Sequence, residues 1–133
     1  MSTLPEILVV DDDPLVRETL GCALDQQFVV RFAASGDEAI AALALDPPAV
    51  MLLDLDMPGV DGFEVLEVRR QRRLAARTRV VMLSADDDER SVLRSWVLGA
   101  DSYLTKPIDA AHISARLRTL LAPVEPARTP STA

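Results

Sequence analysis

The sequence is poor in cysteine, histidine, aromatic residues and long apolar runs. It has one cysteine, one histidine and 4% aromatic residues. A single cysteine, Cys22, excludes a disulfide within the chain, and its place in a predicted helix suggests that it packs as a small apolar residue. The lone His112 is expected to face solvent, without a catalytic role. No stretch reaches the roughly 18 apolar residues of a membrane span, and the N-terminus lacks a basic region leading into an apolar one, so we expect a cytoplasmic protein without membrane contact.

Positive charge is also scarce. The 14 cationic side chains are outnumbered by 21 acidic ones, which gives a net charge of −7. This balance argues against direct nucleic-acid binding, which needs a basic surface. The one basic cluster, residues 69–73, is interpreted as the end of a helix rather than as a phosphate-binding site.

The composition is that of one globular domain. The chain has 133 residues, of which 49% are apolar and 26% charged, enough to form a substantial core. We expect the domain to occupy residues 1–122. The proline-rich residues 123–133 are expected to be a tail or a linker, which could lead to an output domain or simply end.

Apolar runs alternate with helical patterns five times. The predicted strands are residues 7–10, 28–32, 49–53, 80–83 and 102–105, and helices are expected to begin near Pro14, Ser35, Asp61, Asp87 or Asp88, and Asp109. In the fourth helix we expect Val92, Trp96 and Val97 to face inward. Such alternation predicts a parallel sheet with helices on both faces. The first, third and fourth strands are the most apolar and should be central, which predicts a doubly wound, flavodoxin-like α/β fold with strand order 2-1-3-4-5.

Polar side chains follow the predicted strands where each one ends. Asp54 follows the buried run 49–53, Asp11 and Asp12 follow the first strand, Ser84 follows the fourth, and Lys106 follows the fifth. Because parallel α/β sheets bind ligands beyond the carboxyl ends of their strands, these groups are expected to share one patch. Its crowded carboxylates suit Mg²⁺, a hard cation that prefers oxygen ligands.

A phosphoryl donor fits the same patch. Mg²⁺ and Lys106 can hold two of its oxygens and Ser84 can donate to the third, which leaves Asp54 placed for in-line attack. The charge added to Asp54 would draw Ser84 inward. Tyr103 is the candidate side chain to enter the vacated space and change the surface.

The motifs together resemble the receiver domain of two-component response regulators. They are Val9-Val10-Asp11-Asp12, the segment from Leu53 to Gly62, Leu83-Ser84-Ala85 and Lys106-Pro107, and the resemblance covers about residues 5–122. It implies that Asp54 accepts a phosphoryl group from a histidine kinase or phosphotransfer protein. It also implies that Asp12 and Asp54 bind Mg²⁺ directly, that Asp11 does so through water, and that the backbone carbonyl of Asp56 completes the protein ligands.

The resemblance carries four further expectations. Ser84 and Tyr103 would be the switch residues, and the Lys106–Pro107 bond would be cis. Asp56 and Asp86 would set how fast the phosphoryl group is lost. The fourth helix, fifth strand and fifth helix would form a face for partners or for a homodimer. In this chain that face carries arginines 90, 94, 116 and 118 and Trp96.

Three alternative functions account for the sequence less well. A Mg²⁺-dependent phosphatase of the haloacid dehalogenase type also has an Asp-x-Asp motif, but it places its nucleophile on the first strand. A receiver-like module that is never phosphorylated is disfavoured by the full set of Asp11, Asp12, Asp54, Ser84 and Lys106. An EF-hand is excluded because Pro58 occupies a position that needs a ligand.

Overall fold

The computed structural model describes residues 4–122, which form five strands and five helices in strict alternation. The expected tail at residues 123–133 lies outside the described range. In chain order the elements are β1 (Glu6–Val10), α1 (Pro14–Leu24), β2 (Val29–Ala33), α2 (Gly36–Leu45), β3 (Val50–Asp54), α3 (Gly62–Arg72), β4 (Arg79–Ser84), α4 (Glu89–Val97), β5 (Ser102–Thr105) and α5 (Ala110–Leu121).

The strands form one parallel sheet in the order β2-β1-β3-β4-β5, which confirms the predicted fold. The completely buried strand β3 lies at the centre, between β1 and β4. On the outer strand β2, Arg31 forms an ion pair with Glu6 across the sheet. A charged residue is tolerated there because an outer strand is covered on one edge only.

Side chains alternate between the two faces of the sheet, so each strand contributes to two cores. On one face, Leu8, Met51 and Met82 belong to a core with α2 and α3. On the other face, Ile7 and Leu52 belong to a core with α1 and α5. The sheet is therefore buried on both faces, which is why its central strands are continuous apolar runs.

Aspartate and serine side chains begin four of the five helices. Asp13, Ser35, Asp61 and Asp109 each accept a hydrogen bond from a backbone N–H of the first turn. These bonds satisfy donors that the helix itself cannot. Asp88, at the start of α4, makes no such bond.

Two burial predictions are wrong. Cys22 is exposed rather than packed in the core, because it lies about 200° around the helix from the buried Leu20 at about 100° per residue. In α4, Trp96 is 45% exposed and Val97 70% exposed, whereas the small Ser95 is completely buried. The large apolar side chains of α4 therefore face away from the sheet, and the small Ser95 occupies the buried position of this helix.

Candidate functional site

Three carboxylates meet at the carboxyl ends of β1 and β3. Oxygens of Asp11, Asp12 and Asp54 all lie within 4.8 Å of one another. Asp11 and Asp54 are only 1% and 3% exposed, while Asp12 is exposed. Asp54 is thus the last residue of a buried strand, and its carboxylate stays inside the protein.

Lys106 lies just beyond the end of β5 and reaches two of these carboxylates. Its Nζ is 3.0 Å from an oxygen of Asp11 and 3.3 Å from an oxygen of Asp54. Lys106 is also the only lysine of the chain. Burial lowers its pKa, but the hydrogen bond to Asp11 and the charges of both carboxylates outweigh burial, so its pKa is raised.

The same neighbours act on Asp54 in opposite directions. Burial is the largest influence, and with the charge of Asp11 it raises the pKa of Asp54 from 3.8 to about 6. Lys106 and the backbone N–H of Asp56 pull that pKa down without cancelling the increase. The ionised carboxylate of Asp54 is therefore held in an unfavourable environment that another cation would relieve.

The backbone around Asp54 is tightly fitted. The N–H of Asp56 donates to Oδ1 of Asp54 at 3.2 Å. At Gly62, the first residue of α3, a Cβ atom would lie 2.7 Å from the carbonyl oxygen of Asp54 and 2.9 Å from Cα of Leu55. Only glycine allows α3 to begin so close to the end of β3, and this approach fixes the loop that carries Asp56.

Ser84 and Tyr103 are linked through Asp86. Ser84 is buried at the end of β4, one residue past Leu83, which pairs with Asp54 across the sheet. Its Oγ accepts a hydrogen bond from the N–H of Asp86 at 3.0 Å. The half-buried Tyr103 donates its hydroxyl to the carbonyl oxygen of Asp86. The backbone of Asp86 therefore connects a hydroxyl beside the carboxylates to an aromatic side chain near the surface.

The phenol of Tyr103 is also affected by its surroundings. Burial is the largest cause of its raised pKa, and the charges of Asp86, Asp56 and Asp87 add to the increase, while a hydrogen bond with Ser84 opposes it. The tyrosine is therefore uncharged at neutral pH and acts as a hydrogen-bond donor.

One contact of the site was not predicted. Nη1 of Arg17, in α1, donates to the backbone carbonyl of Asp11 at 2.7 Å. Arg17 also follows the aspartate cluster by one helical turn, so its position was available from the sequence. Nothing in the pattern, however, distinguishes it from a solvated helix residue.

The Lys106–Pro107 bond is cis, as expected.

The arrangement can bind a divalent cation and stabilise added negative charge. Three clustered carboxylates offer hard oxygen ligands, and the exposed Asp12 leaves a side open to water, which suits Mg²⁺. A single ammonium, from Lys106, does not neutralise the cluster. The donor set therefore fits a metal ion beside Asp54.

Among the described residues, no helix has the length and apolar character needed to cross a membrane.

Comparison with known proteins agrees with this geometry. The family model of the response regulator receiver domain matches residues 7–118. The chain is 34% identical over 120 residues to the transcriptional regulatory protein AfsQ1 of Streptomyces coelicolor, covering 89% of this chain and 52% of that protein. The chain thus spans about half the length of the curated relatives that it matches.

Two solved structures show the same fold. Chemotaxis protein CheY4 of Vibrio cholerae superimposes with a TM-score of 0.83 at 27% identity, covering 90% of this chain and all of that one. Response regulator TrrA of Thermotoga maritima, determined in complex with Mg²⁺ and beryllium fluoride, gives a TM-score of 0.77 at 31% identity, covering 89% of this chain and all of TrrA. Because the family model matches residues 7–118, which is most of the sequence, this chain belongs to the response regulator receiver domains of two-component systems.

Proposed function

We propose that this domain acts in the cytoplasm and takes part in a phosphorelay by accepting a phosphoryl group on Asp54 from a histidine kinase or phosphotransfer protein. The observation that carries the proposal is a buried carboxylate 3.3 Å from the ammonium of Lys106 and within 4.8 Å of two more carboxylates. A buried carboxylate with a raised pKa and a specific cationic partner is typical of a functional site.

The reaction is an in-line displacement at phosphorus. An oxygen of Asp54 attacks the phosphorus of a phosphohistidine, the P–O bond forms, and the P–N bond breaks with its electron pair leaving on the imidazole. Lys106 and the hydroxyl of Ser84 would hold oxygens of the transferred group, where negative charge accumulates. Mg²⁺, held by Asp12 and Asp54, by Asp11 through water and by the carbonyl of Asp56, would supply charge neutralisation when bound.

Phosphorylation would switch the surface through Ser84. In the structure Oγ of Ser84 accepts a hydrogen bond from the N–H of Asp86. A rotation of the Ser84 side chain that brings its hydroxyl to a phosphoryl oxygen would carry Oγ away from the N–H of Asp86 and would loosen the loop that Tyr103 holds by its hydroxyl. Tyr103 would then move toward the space beside Ser84.

Two acidic residues would set the lifetime of the phosphorylated form. Asp56 is exposed two residues past Asp54, and Asp86 lies at the same distance past Ser84. We infer that these carboxylates act on the water that hydrolyses the phosphoryl group. We expect Asp56→Ala and Asp86→Ala to change the decay rate of the adduct while leaving its formation intact. Unchanged decay in both variants would contradict this role.

The output face would be that of α4, β5 and α5. On α4, the large apolar residues Leu93, Trp96 and Val97 are exposed, which suits a face that binds a partner or a second copy. Two of the arginines expected on this face point elsewhere: Arg94 pairs with Glu67 of α3, and Arg118 contacts Gln27 beside α1. The exposed Arg90 and Arg116 remain available to this face.

The remaining details of this proposal concern the whole protein. The relatives that this chain matches over about half their length are named as transcriptional regulators. We expect the receiver domain itself, with its net charge of −7, not to contact nucleic acid.

Adduct formation tests the proposal. The protein is incubated with Mg²⁺ and a small phosphodonor such as phosphoramidate, and its intact mass is measured over time. We expect one labile phosphoryl group on the wild-type chain and none on Asp54→Asn, with Ser91→Ala on α4 as a control that retains the adduct. Repeated turnover of many phosphomonoesters would instead indicate a hydrolase. Absence of an adduct with small donors and with a kinase would overturn the proposal.

A further inference from the structure

An arginine-rich segment lies at the edge of the sheet opposite the carboxylates. Residues 69–79, from the last turn of α3 to the first residue of β4, contain six of the chain's 14 cationic side chains and no acidic one. Strands of a parallel sheet begin at the edge opposite the one where they end. The site carboxylates therefore lie at one edge of the sheet and this arginine cluster at the other, where Asp101 pairs with Arg79.

Part of this cluster closes the helix, as the sequence predicted. Nη2 of Arg69 donates to the carbonyl oxygens of Ala75 and Thr78, at 3.2 and 2.8 Å. Nη1 of Arg70 donates to the carbonyl of Val97, at the end of α4, at 3.2 Å. The bonds from Arg69 hold the loop that follows α3, whereas the bond from Arg70 satisfies a carbonyl at the end of α4, where the helix has a negative potential.

Much of the donor capacity is nevertheless unused. A guanidinium has five N–H donors. Within residues 4–122, the side chain of Arg70 makes one hydrogen bond and that of Arg73 makes none, and neither forms an ion pair. Arg73 is exposed and caps α3 in the left-handed conformation, with φ of 54°.

These two arginines border a groove between the carboxyl ends of α3 and α4. The groove has a volume of about 440 Å³, and Arg69, Arg70 and Arg73 share its lining with Leu74, Val97 and Leu98. Val97 is 70% exposed. The groove therefore combines cationic groups with the exposed side chain of Val97, beside Leu74 and Leu98, which are partly buried against the core.

The arginines make the groove locally positive even though the net charge of the protein is negative. Charges more than a Debye length apart, about 8 Å at physiological salt, are largely screened from each other, so the distant carboxylates do not cancel it. Burial disfavours the charged form of Arg69, which also lines the groove, so its pKa is lowered, and the charge of Asp101 only partly opposes that effect. An anion at the groove would stabilise this cation.

We propose that the groove between α3 and α4 binds an acidic peptide segment of a partner protein. Aspartate or glutamate side chains of the segment pair with Arg70 and Arg73, and an apolar side chain packs against Val97. Arginine suits this role because its planar fork binds a carboxylate through two parallel hydrogen bonds.

Two other occupants fit less well. A nucleic acid would need a longer basic track, and the chain outside residues 69–79 is strongly acidic, so a long polyanion would be repelled. A second copy of this chain could present the acidic run 86–89, but that run has no large apolar side chain to fill the groove. Experiment can distinguish a nucleic acid and a second copy of the chain from an acidic peptide.

A peptide-binding assay tests the proposal without requiring phosphorylation. The probe is a short fluorescein-labelled peptide of glutamates and leucines, titrated with protein and followed by fluorescence polarisation. Its comparison probes are the peptide with glutamine in place of glutamate and a single-stranded oligonucleotide of the same length. With unlabelled peptide, Trp96, the only tryptophan, lies one residue from Val97 and reports binding by its emission.

The variants locate the site. The double variant Arg70→Gln/Arg73→Gln should weaken peptide binding about tenfold, and the single variant Arg73→Gln, which breaks no hydrogen bond of the folded chain, should weaken it less. The control Arg90→Gln/Arg116→Gln removes the same charge from the α4–α5 face and should bind as wild type. Thermal unfolding verifies that all variants are folded.

Four results would overturn the proposal. They are no saturable binding of the acidic peptide, equal binding of the glutamine peptide, equal binding of the oligonucleotide, and loss of binding in the control pair rather than the groove pair. Concentration-dependent self-association that is lost with Arg70→Gln/Arg73→Gln would assign the groove to a second copy instead.

Discussion

Replacing Asp54 with asparagine should stabilise the fold at neutral pH, even though it removes the proposed phosphoacceptor. The pKa of Asp54 is raised from 3.8 to about 6 because the carboxylate is buried and faces Asp11. A difference of this size corresponds to about 3 kcal/mol of unfavourable free energy for the ionised form. Asparagine has nearly the same volume and no charge, so Asp54→Asn should raise the free energy of unfolding by up to about that amount.

The sign of the pH dependence follows from the two pKa values. As pH falls through about 6, the folded protein binds a proton at Asp54, whereas the unfolded chain does so only near 3.8. The wild type therefore gains stability between these values, and the advantage of the variant should shrink from about pH 7.5 to about pH 4. Above the folded pKa both states are ionised, so this contribution no longer varies.

Urea unfolding without divalent cations, measured across this range, tests the reasoning. Ser84→Ala is the matched control, because it alters a buried side chain of the same site without removing an ionisable group. Adding Mg²⁺ at neutral pH should stabilise the wild type and leave Asp54→Asn nearly unchanged. A variant that is less stable than wild type at about pH 7.5, or a stability difference that does not change with pH, would refute the electrostatic account.

Three further predictions concern neighbours of Asp54. Lys106→Met should slow phosphorylation by small donors about a hundredfold, because it removes the cation beside the negative charge that develops in the reaction. The same variant should bind Mg²⁺ about tenfold more tightly in calorimetry, because the charge that repels the metal ion is gone. Gly62→Ala should lower the free energy of unfolding by about 1–3 kcal/mol, since the new Cβ would lie 2.7 Å from the carbonyl of Asp54; an unchanged urea midpoint would contradict this contact. Tyr103→Phe should speed hydrogen exchange at the amide of Asp86 about fivefold, because a bond that restrains this loop is lost.

The order of the strands was predictable because burial leaves a clear pattern. A strand covered on both faces must be apolar at every position, so the apolar runs of β1, β3 and β4 identified the centre of the sheet. Once the sheet is parallel, the ends of these strands meet at one edge. That is why Asp11, Asp54 and Lys106, far apart in sequence, could be placed together without coordinates.

The orientation of α4 was not predictable in the same way. Leu93, Trp96 and Val97 follow helical spacing, and such spacing shows that a helix has an apolar side. It does not show which surface covers that side. In α4 the completely buried position belongs to Ser95, whose hydroxyl donates to the carbonyl of Ser91, and the apolar side is left exposed. A surface that binds a partner produces the same pattern as one that packs in the core.

Individual side-chain contacts could not be predicted from the sequence, for a different reason. The bond from Arg17 to the carbonyl of Asp11 depends on one rotamer of a long side chain, and many rotamers satisfy the same pattern. Backbone topology is set by the summed preferences of many residues, whereas a single contact depends on few. Sequence patterns therefore predict where a site lies more reliably than they predict the side-chain contacts within it.

The informative feature of this site is that it breaks a rule of burial. Protein interiors exclude unpaired carboxylates, yet Asp11 and Asp54 are both buried and share a single ammonium. A fold selected for stability alone would place an amide or an apolar residue at position 54. Under the proposed function this unfavourable charge has a use, since it creates a deficit of positive charge that a metal ion would fill and presents a carboxylate that would attack phosphorus. Sequence analysis finds such sites where an apolar strand stops at an acidic residue without local compensation.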